Sequence, residues 1–291
     1  LSDRMSGCTL CPRMCGADRE NGKTGFCGET GEIRAARAAL HMWEEPCISG
    51  KEGSGTVFFT GCTLRCVFCQ NHEIAGSKVG KVISEEGKGA NNINLVTPTH
   101  FVPQIIRALQ SAKEQGMYLP VVYNTGGYER VETLKMLDGL VDIYLPDFKY
   151  LNTDHAKKYS MAEDYPEIAK AALAEMVRQT GEPVFDERGM MKRGVIVRHL
   201  LLPGCLADGK RVVKYLHETY GNRIYMSLMS QYTPLESLDA VKYPELNRKV
   251  PEYAYEKLVD YAISLGVMQA FIQEGDTAKE SFIPPFTLEG V

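Results

Sequence analysis

The sequence lacks any uninterrupted apolar run long enough to cross a bilayer, and its opening, LSDRMSGCTLCPRMC, lacks the basic-then-apolar order of a secretory leader. A cytoplasmic location is the expectation. Charge of one sign is also missing: 33 Lys and Arg against 37 Asp and Glu leave a formal net charge of -4, which offers no electrostatic reason to expect a nucleic-acid partner. There is one Trp, no short internal repeat and no low-complexity linker. Cysteine is nearly absent from most of the chain, since only Cys205 follows Cys69. Nine cysteines with eight inside the first 69 residues exclude a disulfide framework spread over the fold, and reduced thiols gathered in one region point to metal.

What is present is a rhythm. From Val57 onward, short β-branched or aromatic runs (TVFFTG, NINLV, LPVVYN, VDIYLP, GVIVRHLLLPG, RIYMSLMS) read as strands. Between them, PTHFVPQIIRALQSAKEQG opens with threonine caps and closes on Gly116, and YERVETLKMLDG closes on Gly139. PEIAKAALAEMVRQTG carries Pro166 in its first turn and stops at Gly181, while ADGKRVVKYLHETYG ends on Gly221. Strands that alternate with helices imply a parallel sheet with right-handed crossovers. Six such units predict an α/β architecture, an incomplete (β/α)6 barrel; a doubly wound open sheet also satisfies the pattern. Residues 1–52 depart from the rhythm as a cysteine-rich extension. Residues 53–291 hold the barrel, with a tail after Pro234 whose clear helix is PEYAYEKLVDYAISLG.

The stretch GCTLRCVFCQN places Cys62, Cys66 and Cys69 directly after the first of these strands, at the carboxyl end of the sheet, where parallel α/β folds build their ligand sites. Thiolates are soft ligands for zinc or iron–sulfur clusters, and a structural zinc normally takes four. Three ligands leave one metal position open to a substrate. Three buried thiols serving as small hydrophobes is the bland alternative. A non-enzymatic electron-transfer or metal-binding protein is another, for which His72 is the nearest fourth ligand.

The spacing C-x3-C-x2-C resembles the signature of the radical S-adenosylmethionine (SAM) enzymes. Further stretches, CTLCPRMCGADRENGKTGFCG, EEPCISGKEGSGTVFFTGC, PDFKY and VRHLLLPG, resemble the pyruvate formate-lyase activating enzymes, and especially a branch of uncharacterised activating-enzyme-like iron–sulfur proteins. The resemblance covers nearly the whole chain. It implies an oxidoreductase in which a reduced [4Fe–4S] cluster on Cys62, Cys66 and Cys69 passes an electron to bound SAM, giving a 5′-deoxyadenosyl radical that takes a hydrogen atom from a substrate. That substrate would be a glycyl-radical enzyme, another protein or peptide, or a small molecule. A low-potential flavodoxin- or ferredoxin-like donor is the implied partner. By the same likeness Asp147, Lys149 and Arg198 face SAM, with Phe68 and Asn71 beside the cluster; Lys149 can pair with a carboxylate and Arg198 can grip one bidentately. Arg198 lies in an apolar strand and is costly to bury without an anion. His199 has the opposite parity and is expected to pack against a helix.

One departure matters. Many relatives carry Gly-Gly-Glu after the second strand to receive the SAM amino group, and here the place reads NLVTPTH. Thr97 and Thr99 are the candidate replacements, or simply helix caps. In YNTGGY, Asn124 and Thr125 offer polar groups and the glycines allow a close backbone approach, or the stretch is an ordinary turn. Cys8, Cys11, Cys15 and Cys27 form a second set able to hold zinc or a second iron–sulfur cluster. Cys47 and Cys205 stand alone. Trp43 and the adjoining EEP read as packing and loop closure, with Glu44 or Glu45 within reach of the site.

Overall fold

The computed structural model describes residues 5–76, 90–272, 286 and 288–291. Its sheet begins with β1 (Ala35–His41), which runs antiparallel to β2 (Ser54–Phe59). From β2 onward the neighbours are parallel: β3 (Ile93–Val96), β4 (Val121–Thr125), β5 (Ile143–Pro146), β7 (Met191–Leu200), β8 (Tyr225–Met229) and β9 (Ala270–Ile272). The two-residue β6 (Val184–Phe185) hangs antiparallel on β7. Among the described residues β9 does not pair with β1, so the sheet stays an open, incomplete barrel.

Every strand expected from the sequence is present, and period-two alternation explains why. The register row Val57, Leu95, Tyr123, Tyr144 and Val195 faces outward. It packs with Ile105 and Leu109 of α3 (Val102–Glu114), Leu134 of α4 (Val131–Leu134), Met176 of α6 (Tyr165–Thr180) and Val212 of α7 (Leu206–Tyr220). Removing these side chains from water is the dominant stabilising term, roughly 1.5–3 kcal/mol for each large apolar residue fully buried. The crossover helices stop where glycines supply a left-handed residue, as at Gly139, Gly221 and Gly266 after α8 (Glu252–Ser264).

Three differences from expectation have physical causes. β1, AARAALH, lies in the cysteine-rich stretch; its alanines give no strand signal, and pairing with β2 overrides weak propensity. The polar α5 (Thr153–Ser160) is held by Asn152, whose Oδ1 accepts the backbone N–H of Asp154 at 2.8 Å and of His155 at 3.4 Å. Thr97 and Thr99 do not cap α3. A 3-10 turn over Thr99–Phe101 precedes that helix, and its first residues carry no side-chain cap.

The inward row is different in kind. At the amino-terminal end of the strands, α1 (Pro46–Ser49) inserts Cys47 and Ile48 among Val122, Ile143, Leu145 and Ile196, closing the base of the barrel. Above that apolar plug lie Asn94, Asn124, Arg198 and Ser227, all on the inner face. The short α2 (His72–Ala75) follows the cysteine loop on the opposite, carboxyl-end face.

Candidate functional site

The loop after β2 holds Cys62, Cys66 and Cys69 half-buried. Each sulfur faces a hydrogen-bond donor. Leu64 N–H donates to Cys62 Sγ at 3.4 Å, Ser160 Oγ lies 3.0 Å from Cys66 Sγ, and the backbone N–H of Asn71 is turned to Cys69. Burial pushes the Cys66 and Cys69 thiols up, and their neighbouring thiols add to the rise at both; Lys149 opposes it. A cation is therefore what these thiolates need in order to exist. Three thiols with oriented donors fit a cluster on which each cysteine binds a different iron. Among the described residues no three His, Cys, Asp or Glu side chains gather round one point as a single ion requires. His72, the fourth ligand that a carrier would need, is exposed on α2.

Facing the loop is a charge network at the ends of β5 and β7. Lys149 Nζ donates to Asp147 Oδ2 at 2.6 Å, and Arg198 Nε donates to Asp147 Oδ1 at 3.0 Å. Burial works to raise the Asp147 carboxyl, but Lys149 and Arg198 outweigh it and hold the group below its ordinary range. The remaining guanidinium nitrogens of Arg198 reach Asn124 Oδ1 at 2.7 Å and Glu44 Oε2 at 3.4 Å. Glu44 Oε1 also accepts from Asn94 and Asn124, at 3.1 Å each. The anion that sequence reasoning demanded for Arg198 is thus supplied by the protein itself, through Asp147 and Glu44.

Glu44, read from the sequence as loop closure within reach of the site, does reach it. A pair of glutamates before a proline looks like solvent-exposed loop, whereas here the α1 plug carries Glu44 and Glu45 up into the barrel. Burial raises both carboxyls, with Arg198 opposing it, and Glu45 Oε2 has no hydrogen-bond partner. Tyr165 is the residue that sequence reasoning missed. Wholly buried, it accepts Lys149 N–H at 3.0 Å, and its hydroxyl faces the carbonyls of Gly126 at 2.9 Å and Asp147 at 3.0 Å. It locks the β4 and β5 loops together. Gly127 must be glycine there, because at φ 78° a Cβ would stand 2.2 Å from the Asp147 carbonyl oxygen.

The other candidates fall in different places. Phe68 is buried edge-on to Tyr150, with Lys149 Nζ 5.8 Å from its ring centroid. Asn71 contributes its backbone N–H. Thr97 sits at φ 58°, as does Arg65 in the cysteine loop, so two non-glycine residues are strained at this end of the sheet. Thr99 is turned away: its hydroxyl donates to Glu129 at 2.5 Å, and Glu129 is sealed outside the barrel with Thr125 and Tyr123 as its other donors. Thr125 therefore also faces away from the barrel interior. Burial raises Glu129 to about 7, the three donors opposing it. His199 packs outward, 2.8 Å from the Phe148 carbonyl, and Cys205 is a buried thiol in the same core.

The N-terminal cysteines lie against the cysteine loop. Cys62 N–H donates to the Cys27 carbonyl at 3.2 Å, and the Arg13 side chain donates to Thr63 O at 2.9 Å and Leu64 O at 3.3 Å. Arg13 also reaches the carbonyls of Ser160 and Met161 at the end of α5.

No protein-family model matches the chain. It is 28% identical over 277 residues to an uncharacterised protein of Methanocaldococcus jannaschii, spanning 89% of this chain and 75% of that one. Methylornithine synthase superposes with a TM-score of 0.52 at 12% identity, over 81% of this chain and 65% of its own. A domain of pyruvate-formate lyase-activating enzyme from Bacteroides vulgatus matches at a TM-score of 0.42 and 14% identity, over 60% of this chain and 91% of its own, too distant to add to the assignment. The chain carries the open α/β partial-barrel fold found in radical SAM enzymes.

Proposed function

We propose that this protein is a radical SAM enzyme of the activating-enzyme type. The observation that carries the reading is the cysteine triad at the carboxyl end of β2, each sulfur already facing a donor, opposite the Lys149–Asp147–Arg198 network. When bound, a [4Fe–4S] cluster and SAM supply one-electron cleavage of the sulfonium and a radical able to take hydrogen from a substrate. Cys62, Cys66 and Cys69 hold the cluster. The N–H groups of Leu64 and Asn71 and the Ser160 hydroxyl tune it through the sulfurs. Lys149 meets the SAM carboxylate, and Arg198, engaged by Asp147 and Glu44, keeps Asp147 placed for the amino group. The α1 plug closes the base, so substrate enters from the carboxyl-end face, where an external low-potential donor also docks.

The test is anaerobic reconstitution with iron and sulfide, reduction with dithionite, and quantification of 5′-deoxyadenosine from SAM. Wild type is expected to form it and a Cys62→Ala/Cys66→Ala/Cys69→Ala variant is not. Assembly of a cluster on the triad without any 5′-deoxyadenosine would overturn the reading in favour of an electron carrier. Deuterium transfer from labelled glycyl-radical enzymes, other peptides and small molecules then assigns the hydrogen donor.

A further inference from the structure

Arg19 is fully buried. Its guanidinium donates to three backbone carbonyls, Glu29 at 3.1 Å, His100 at 2.6 Å and Thr30 at 2.7 Å, and to Cys8 Sγ at 3.6 Å. No carboxylate within salt-bridge distance accompanies it among the described residues. The Glu29 carboxyl feels its charge but hydrogen-bonds Thr60 instead. A buried guanidinium without an anion is costly. Further sulfur lies near its stem: a Cβ on Gly25 would meet Cys15 Sγ at 3.1 Å, Arg19 Cδ at 3.5 Å and Cys27 Sγ at 3.5 Å. Cys8 and Cys11 lie within electrostatic reach of Cys27.

The sulfurs share a second feature. The backbone N–H two residues on is turned to the thiol at Cys11 (Arg13), Cys15 (Ala17) and Cys27 (Glu29), as it is at Cys62 (Leu64) and Cys69 (Asn71). At Cys8 the donor is Arg19 itself. Each sulfur of the N-terminal set thus has a donor aimed at it before any ligand arrives, a loop geometry that serves a thiolate and does little for a thiol.

We propose that Cys8, Cys11, Cys15 and Cys27 bind a second iron–sulfur cluster, with Arg19 as its internal counter-ion. Four thiolates round a metal centre provide the anion that Arg19 lacks. Zinc does so too, with four Zn–S bonds of about 2.3 Å and no sulfide, so sulfide content separates the two centres. The N-terminal set shares with the triad the backbone N–H turned to sulfur. The two sites meet along the Cys27–Cys62 hydrogen bond, which suits electron passage from one to the other.

The proposal stands apart from SAM cleavage and is tested without it. The full-length Cys62→Ala/Cys66→Ala/Cys69→Ala variant, reconstituted anaerobically with iron and sulfide, is expected to retain about four iron and four sulfide per chain and a visible absorbance bleached by dithionite. One zinc without sulfide, or no metal, would overturn it. In the same background, Cys15→Ser removes the exposed ligand without opening the core and should speed iron loss to a chelator at least tenfold. Arg19→Lys should slow that loss relative to Arg19→Gln; equal rates for the two would remove the counter-ion role.

Discussion

Arg198 and Arg19 both carry their guanidinium groups into the protein and keep opposite company. Arg198 lies in the barrel between two carboxylates, Asp147 and Glu44, with Asn124 completing its shell. Arg19 lies in the N-terminal region among carbonyls and cysteine sulfurs. The first charge is balanced above all by Asp147, whose carboxyl Lys149 and Arg198 hold below its ordinary range. The second is balanced only if something converts thiols to thiolates, so a buried cation can report the chemistry expected around it.

The sharpest way to break the comparison is Arg198→Met. Two buried acids then lose their partner, and denaturant unfolding should show a loss of about 3–5 kcal/mol; adding Glu44→Gln should recover part of it, since one stranded charge is removed. A smaller effect is expected at Glu129, a buried acid with no cation among its hydrogen-bonding partners. It binds its proton more tightly folded than unfolded, so its contribution to stability is full below its ordinary 4.5 and is lost as pH rises through about 7. Glu129→Gln should flatten that decline by about 3 kcal/mol between those limits, read from urea midpoints across pH. Gly127→Ala keeps every charge but forces the β4 and β5 loops apart; about 1–3 kcal/mol of stability and a weakened SAM affinity by calorimetry are expected. Asn152→Ala touches neither arginine and should cost only about 1 kcal/mol of thermal stability, through the lost α5 cap.

Much of the barrel was legible because outward rows such as Leu95, Tyr123 and Tyr144 pair a two-residue period with strand-forming side chains, and because glycines punctuate the helices. The spacing of the triad was legible, its cluster role being the reading proposed above, and Asp147, Lys149, Arg198 and Asn124 converge. Tyr165 and β1 were not legible, and Glu44 was legible only as a residue within reach of the site. Their roles arise from long-range contact: Glu44 reaches Arg198 across 154 residues of sequence, a separation on which local pattern is silent. Thr99 misled for a related reason, since a threonine before a helix reads as a cap unless a distant acid such as Glu129 claims its hydroxyl.

Arg13 couples the start of the chain to Met161, 148 residues later. At about 5–20 residues per second, a ribosome needs roughly 7–30 s to span that interval. For the later part of it both cysteine loops have been made, but the clasp that joins them has no far side. Until then the newly made thiols lack the contacts that Arg13 gathers from Ser160 and Met161. Cells assembling this protein gain from shielding the nascent chain until its middle has emerged.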